Sequence, residues 1–162
     1  MTMCSIGARN PVIQTVYATS NTFSSITTVI PYDTTIPQNT EGSEVLTLAI
    51  TPSSASSILE IYCEIPGQLS DDETIGTAAL FQDATANAIA AVQRRHVWGN
   101  NNNGKLSETI KHIMVAGTVS STTFKVRVGT DIGSAWSVNG GSSSRLYGGT
   151  MTVILTINEY YA

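Results

Sequence analysis

Charge is what this chain has least of. Lys, Arg, Asp and Glu make up 12% of its 162 residues, eight basic against twelve acidic, for a formal net charge of −4. A soluble chain commonly carries about twice that charged fraction. Eight scattered basic residues cannot form the basic stripe that grips a phosphate backbone, so nucleic acid is not an expected partner. No apolar run reaches the roughly 18 residues of a membrane-crossing helix, and no membrane insertion is expected. No basic segment followed by an apolar stretch opens the sequence, so no signal peptide is expected. Cysteine is scarce as well. Cys4 and Cys63 are too few for a disulfide framework, and both are expected to be free thiols, Cys63 as a small core residue. There is no Asn-x-Ser/Thr sequon.

What fills the space is uncharged polarity: 22 Thr, 18 Ser, 13 Gly and 10 Asn. With 41% hydrophobic residues the chain can bury a core rather than remain disordered. Residues 1–10 show no periodicity and read as an N-terminal arm; residues 11–162 read as one domain.

The apolar pattern alternates with period two. Leu59, Ile61, Cys63 and Ile65 share one face, and Glu60, Tyr62 and Glu64 the other. Phe124, Val126 and Val128 alternate with Lys125 and Arg127. Met151, Val153, Leu155 and Ile157 alternate with Thr152, Ile154 and Thr156. Half-buried antiparallel strands have this form. Val12–Tyr17, Phe23–Ile30, Val45–Ile50, Thr77–Phe81 and Thr109–Val115 carry further β-branched and aromatic residues. Turn-rich segments separate them, which predicts a β-sandwich or jelly roll. Residues 84–95 (ATANAIAAVQRR) have helical propensity, but the context favours a strand running on to Trp98. That strand would form a hairpin with Lys105–Val115 and bring Arg95 or His96 near Glu108.

Catalytic and metal-binding patterns are missing. His96 and His112 have no ligand-spaced partner, and His112 reads as an ordinary sheet histidine beside Ile110 and Met114. No G-x-S-x-G or P-loop pattern occurs, and the segment 140–145 (GGSSSR) reads as a surface loop. Asp71, Asp72 and Glu73 lack the alternation of a calcium loop and read as a solvated turn. No catalytic residue, cofactor or metal is expected. A polysaccharide-cleaving enzyme is disfavoured because no acid/base or nucleophile constellation appears. Aromatics beside Asn and Arg are the better candidates for a ligand surface. Trp98, Asn101, Asn102, Trp136 and Tyr147 are candidate glycan-binding loop residues, since an aromatic ring stacks on the apolar face of a pyranose.

Several segments together carry a family resemblance. They are residues 36–42 (IPQNTEG) leading into 45–52 (VLTLAITP), residues 78–83 (AALFQD) with 86–91 (ANAIAA), and residues 116–118 (AGT) with 122–129 (TTFKVRVG). The fourth is residues 139–141 (NGG) with Arg145, residues 147–149 (YGG) and the last strand up to Glu159. Spread over about residues 23–162, this order resembles bacteriophage structural domains of tail fibres, tail spikes and virion-surface proteins. The resemblance implies an all-β antiparallel jelly roll of the complement and tumour-necrosis-factor kind, a homotrimer exposed on the virion surface as a tail-fibre head or capsid decoration. It also implies attachment to other virion proteins through the arm, and a host cell-surface glycan as the external ligand. Low charge suits such an assembly. The last strand is apolar on both faces, so Ile154, Tyr160 and Tyr161 are the candidate trimer interface. The segment 88–98 is more charged than the family pattern, and the chain has neither the shaft nor the baseplate-attachment region of a complete tail fibre. With Met1 and a short arm, it reads as a separately encoded small virion protein. A non-viral carbohydrate-binding module is the alternative.

Overall fold

The computed structural model describes residues 11–70, 73–95, 104–141 and 144–162. The arm, Asp71, Asp72, His96, Trp98, Asn101 and Asn102 lie outside the described residues.

The described chain is all-β and antiparallel. Its strands are β1 (Val12–Ser20), β2 (Ser24–Ile26), β3 (Ser43–Ile50), β4 (Ile58–Leu69), β5 (Ile75–Gln82) and β6 (Ala90–Arg95). They continue as β7 (Gly104–Val115), β8 (Thr122–Thr130), β9 (Trp136–Val138), β10 (Gly140–Gly141), β11 (Ser144–Arg145) and β12 (Val153–Tyr160). One sheet runs β1-β12-β4-β7 through most of its height. Where β12 ends, β9 takes its place against β4 and carries β2 on its far side. The second sheet runs β3-β8-β5-β6.

The two sheets face one another because both alternate. Leu59, Ile61, Cys63, Ile65, Leu155 and Ile157 from the first sheet meet Ala78, Leu80, Phe124, Val126 and Val128 from the second in one core. Full burial of a side chain of this size is worth roughly 1.5–3 kcal/mol. Cys63 is a free thiol inside this core, and burial, aided by the Glu64 charge, pushes its pKa up to about 12, leaving it unreactive. His112 is half-buried in the same inward row of β7 as Ile110 and Met114.

Four readings change. The alanine-rich segment becomes a strand only from Ala90, and β6 pairs with β5, not with β7. Asp83 adopts φ 52° and accepts hydrogen bonds from Thr122 Oγ1 (2.9 Å) and the Thr123 amide (2.7 Å), which turns the chain back there. Glu108 does gain a cation, but it is Arg94 at 3.9 Å, reaching across from the other sheet, while Arg95 bonds Glu73 at 3.4 Å. Burial raises the Glu108 pKa, and Arg94 offsets part of that rise. The expected strand over Phe23–Ile30 shrinks to β2 and a single bridge at Val29. The segment 140–145 is not simply a surface loop, since Gly140 and Gly141 are buried and pair with Arg145 and Ser144.

The β2–β3 connection folds over the outer face of the second sheet. The Ile30 amide donates to Thr130 O (3.1 Å), and the Thr130 amide donates to Thr28 O (3.1 Å). Ile30 then buries itself with Ala79 and Phe81, flanked by Ala88, in a second small core. Gly129 lets the strap lie this close, because a Cβ there would sit 2.8 Å from both Ile30 Cγ1 and Thr28 O. Arg127 closes the far end, with Nε donating to Glu41 O and Nη2 to Gly42 O, each at 2.7 Å.

Candidate functional site

The outer face of the first sheet has no such cover among the described residues. Register sets its outward side chains in rows. One row runs Val12, Tyr160, Ile58, Val115; the next Thr15, Asn158, Glu60, Ile113. The third is Tyr17, Thr156, Tyr62, Lys111, and the fourth Thr19, Ile154, Glu64, Thr109. Thirteen large hydrophobic side chains are exposed among the described residues, and six of them lie here: Val12, Tyr17, Tyr62, Ile113, Val115 and Ile154. Tyr17 is 71% and Ile113 58% exposed. The six are interspersed with Thr15, Asn158, Glu60, Thr156 and Lys111, so the face mixes exposed apolar and polar side chains.

Lys111 and Glu60 on this face pair with each other, while Glu64 takes a hydroxyl and no cation among the described residues. Lys111 Nζ lies 2.6 Å from Glu60, and the Tyr160 hydroxyl donates to Glu60 at 2.9 Å. The Lys111 bond, then the Tyr160 bond, hold the Glu60 carboxyl below its usual range, and Glu60 in turn raises the pKa of Lys111 and of Tyr160. Ser107 Oγ donates to Glu64 (3.0 Å) and Thr15 Oγ1 to Asn158 (2.8 Å). Charges already paired lose less when a partner strips their water.

Of the residues singled out in the sequence, Ile154 stands on this face at 37% exposure, Tyr160 is half-buried in it, and Tyr161 follows at 57% exposure. The sequence reading missed Val12, Tyr17, Tyr62, Ile113 and Val115. Tyr62 in the alternating β4 pattern was the available signal; the joining of four strands into one face was not available.

The candidate glycan residues separate. Trp136 is not a loop residue. It lies in β9, fully buried between the sheets, with its Nε1 donor unpaired. Gly67 on β4 makes room, since a Cβ there would be 2.8 Å from that Nε1. Tyr147 keeps an exposed ring, 70% accessible, in a short 3-10 turn (Tyr147–Gly149). It lines a cleft of about 390 Å³ together with Glu64, Pro66, Gln68, Ser107 and Met151. Among the described residues, no group of three or more His, Cys, Asp or Glu side chains is placed to hold a metal ion.

No protein-family model matches the chain, and comparison with curated proteins gives no match. Among solved structures, one of infectious bursal disease virus, Gx strain, is similar at 14% identity and a TM-score of 0.41. The match covers 99% of this chain, which spans 42% of that one.

Proposed function

We propose that this protein is a non-enzymatic structural component of a bacteriophage particle, a homotrimer whose jelly-roll head is exposed at the virion surface and presented to host glycans. The observation that carries the proposal is the outer face of the β1-β12-β4-β7 sheet, which is uncovered among the described residues and carries six exposed large hydrophobic side chains. Eight residues of β12 by four strands span roughly 27 Å by 19 Å. That flat area, roughly 500 Å², is about two-thirds of the ~800 Å² per partner of a standard-size interface. Ile154, Tyr160 and Tyr161 would lie against neighbouring copies with Tyr17, Tyr62 and Ile113.

The strand order supports the jelly-roll reading. The first, third, sixth and eighth long strands from one sheet (β1, β4, β7 and β12) are matched by the second, fourth, fifth and seventh in the other (β3, β5, β6 and β8), as two intertwined Greek keys require. The phage assignment rests on the residue pattern of segments 36–52, 78–91, 116–129 and 139–159. Trimeric presentation would turn weak single-site glycan contacts into useful avidity.

Light scattering on the purified protein tests the assembly. A mass of three chains is expected; a mass of one chain overturns the trimer. Immunolabelling of purified particles then tests the location, with label on the particle surface expected and its absence overturning the virion reading. The second reading, a non-viral carbohydrate-binding module, is favoured by the cleft beside Tyr147, and a sugar-binding monomer absent from purified particles would support it.

A further inference from the structure

We infer that the cleft bounded by Tyr147, Glu64, Gln68, Ser107, Pro66 and Met151 is a binding site for a neutral saccharide. This rests on the glycan-presenting reading above and names its site. The volume of about 390 Å³ suits one or two sugar rings. The floor is rigid sheet, because Pro66 and Ser107 are register partners on β4 and β7. The wall is a segment fixed at several points. The Asn139 amide donates to Pro66 O (2.9 Å), and Asn139 Nδ2 donates to Ser20 O (2.8 Å) and Thr22 O (3.0 Å). The Gly149 amide donates to Leu146 O (2.9 Å), and Thr150 Oγ1 donates to Tyr147 O (3.0 Å).

Tyr147 itself adopts φ 49°, a left-handed conformation uncommon for an aromatic residue, and Gly148 and Gly149 follow at 62° and 89°. That turn holds the exposed ring at the cleft instead of folding it into the core. A binding surface prepared in this way avoids the ordering cost of a mobile loop.

The chemistry of the lining selects the ligand. A tyrosine ring with Pro66 and Met151 offers an apolar platform for the C–H face of a pyranose. Glu64 offers acceptors for sugar hydroxyls: Oε1 takes the Ser107 hydroxyl at 3.0 Å, and Oε2 takes no hydrogen bond among the described residues. The Gln68 amide supplies both a donor and an acceptor. Glu64 is the one charged side chain among the described lining residues, and its negative charge disfavours sialic and uronic acids. The cleft lies at the upper rim of the uncovered face, beside the row that holds Glu64 and Ile154, so saccharide binding and self-association use adjoining surfaces.

The test is saturation-transfer NMR with glucose, galactose and N-acetylglucosamine in the millimolar range, and N-acetylneuraminic acid as the anionic comparison. At least one neutral sugar is expected to bind, with the anionic sugar weaker. Tyr147→Ala and Tyr147→Asn are each expected to weaken binding tenfold or more; Asn tolerates the left-handed backbone, so loss in both reflects the ring and not the fold. Glu64→Ala is expected to weaken it severalfold. No neutral sugar bound, the anionic sugar bound more tightly, or binding unchanged in both Tyr147 variants overturns the site. Light scattering on the same samples separates the two claims. Three-chain mass without sugar binding overturns this inference alone, and one-chain mass with Tyr147-dependent binding overturns the trimer alone.

Discussion

The two sheets of this protein solve the same problem in opposite ways. Each has an apolar inner face, and the two inner faces bury each other in the shared core. Each also carries apolar side chains outward. On the β3-β8-β5-β6 sheet the chain covers its own: Ile30 closes over Ala79 and Phe81, and Arg127 holds the connection down. On the β1-β12-β4-β7 sheet Tyr17, Tyr62, Ile113 and Val115 stay exposed beside an ion pair that is already neutralised. Among the described residues the chain straps over one outer face and leaves the other exposed. The difference lies in the neighbours more than in the strands: the β2–β3 connection, residues 27–42, crosses the second sheet, and among the described residues no segment does the same on the first.

The largest effect that would break this contrast is on the covered face. Phe81→Ala should cost about 3–5 kcal/mol in chemical denaturation, since the ring is fully buried and its cavity cannot collapse onto sheet backbone. The oligomeric mass should not change if the two faces are independent.

Next comes the seam between the sheets. Glu159 at the end of β12 is fully buried. Burial opposes its charge, but bonds from Gln14 Nε2 (2.6 Å), from the Ser57 and Ser53 hydroxyls (the latter at 2.7 Å) and from the Ser53 amide (2.8 Å) outweigh it and hold the pKa at about 2. The folded pKa lies below the ordinary 4.5, so the stabilisation is fully present above pH 4.5 and is lost as pH falls towards 2. Acid titration of the denaturation midpoint should show a loss on the order of 2 kcal/mol over that window, and Glu159→Gln should flatten it.

A smaller effect in free energy, but a decisive one, is expected on the open face. Ile154→Lys should raise the dissociation constant of the assembly tenfold or more, about 1.4 kcal/mol, and leave monomer unfolding nearly unchanged. Dilution series by sedimentation would show it; an equal loss of monomer stability would mean that Ile154 packs within its own chain. Smallest is Tyr160→Phe, which removes the donor to Glu60 and should shift stability by about 1 kcal/mol or less.

Much of the fold was legible because β4, β8 and β12 alternate strictly, and alternation fixes which side of a strand meets the core. The short strands were not. Trp136 sits in a Gly- and Ser-rich stretch that reads as loop, and only the room left by Gly67 across the sheet shows why it is buried. The β6 pairing was misread because Ala90–Arg95 carries no mark of which neighbour it prefers, whereas the Asp83 turn that decides the matter is held by Thr122 and Thr123, about 40 residues away. Of the candidate interface, Ile154 and Tyr160 could be found because they lie on one strand with an unexpected second apolar face.

The sequence by itself determined the class: little charge, abundant hydroxyls and period-two alternation leave antiparallel sheet as the way to bury the apolar residues. Tertiary structure alone decided which outer face the described chain straps over, which it leaves exposed, and that Tyr147 shares a cleft with Glu64. The physical reason is that alternation is a local property, read along one strand. A face is made by register between strands distant in the chain, and whether it is covered depends on where a connection happens to lie.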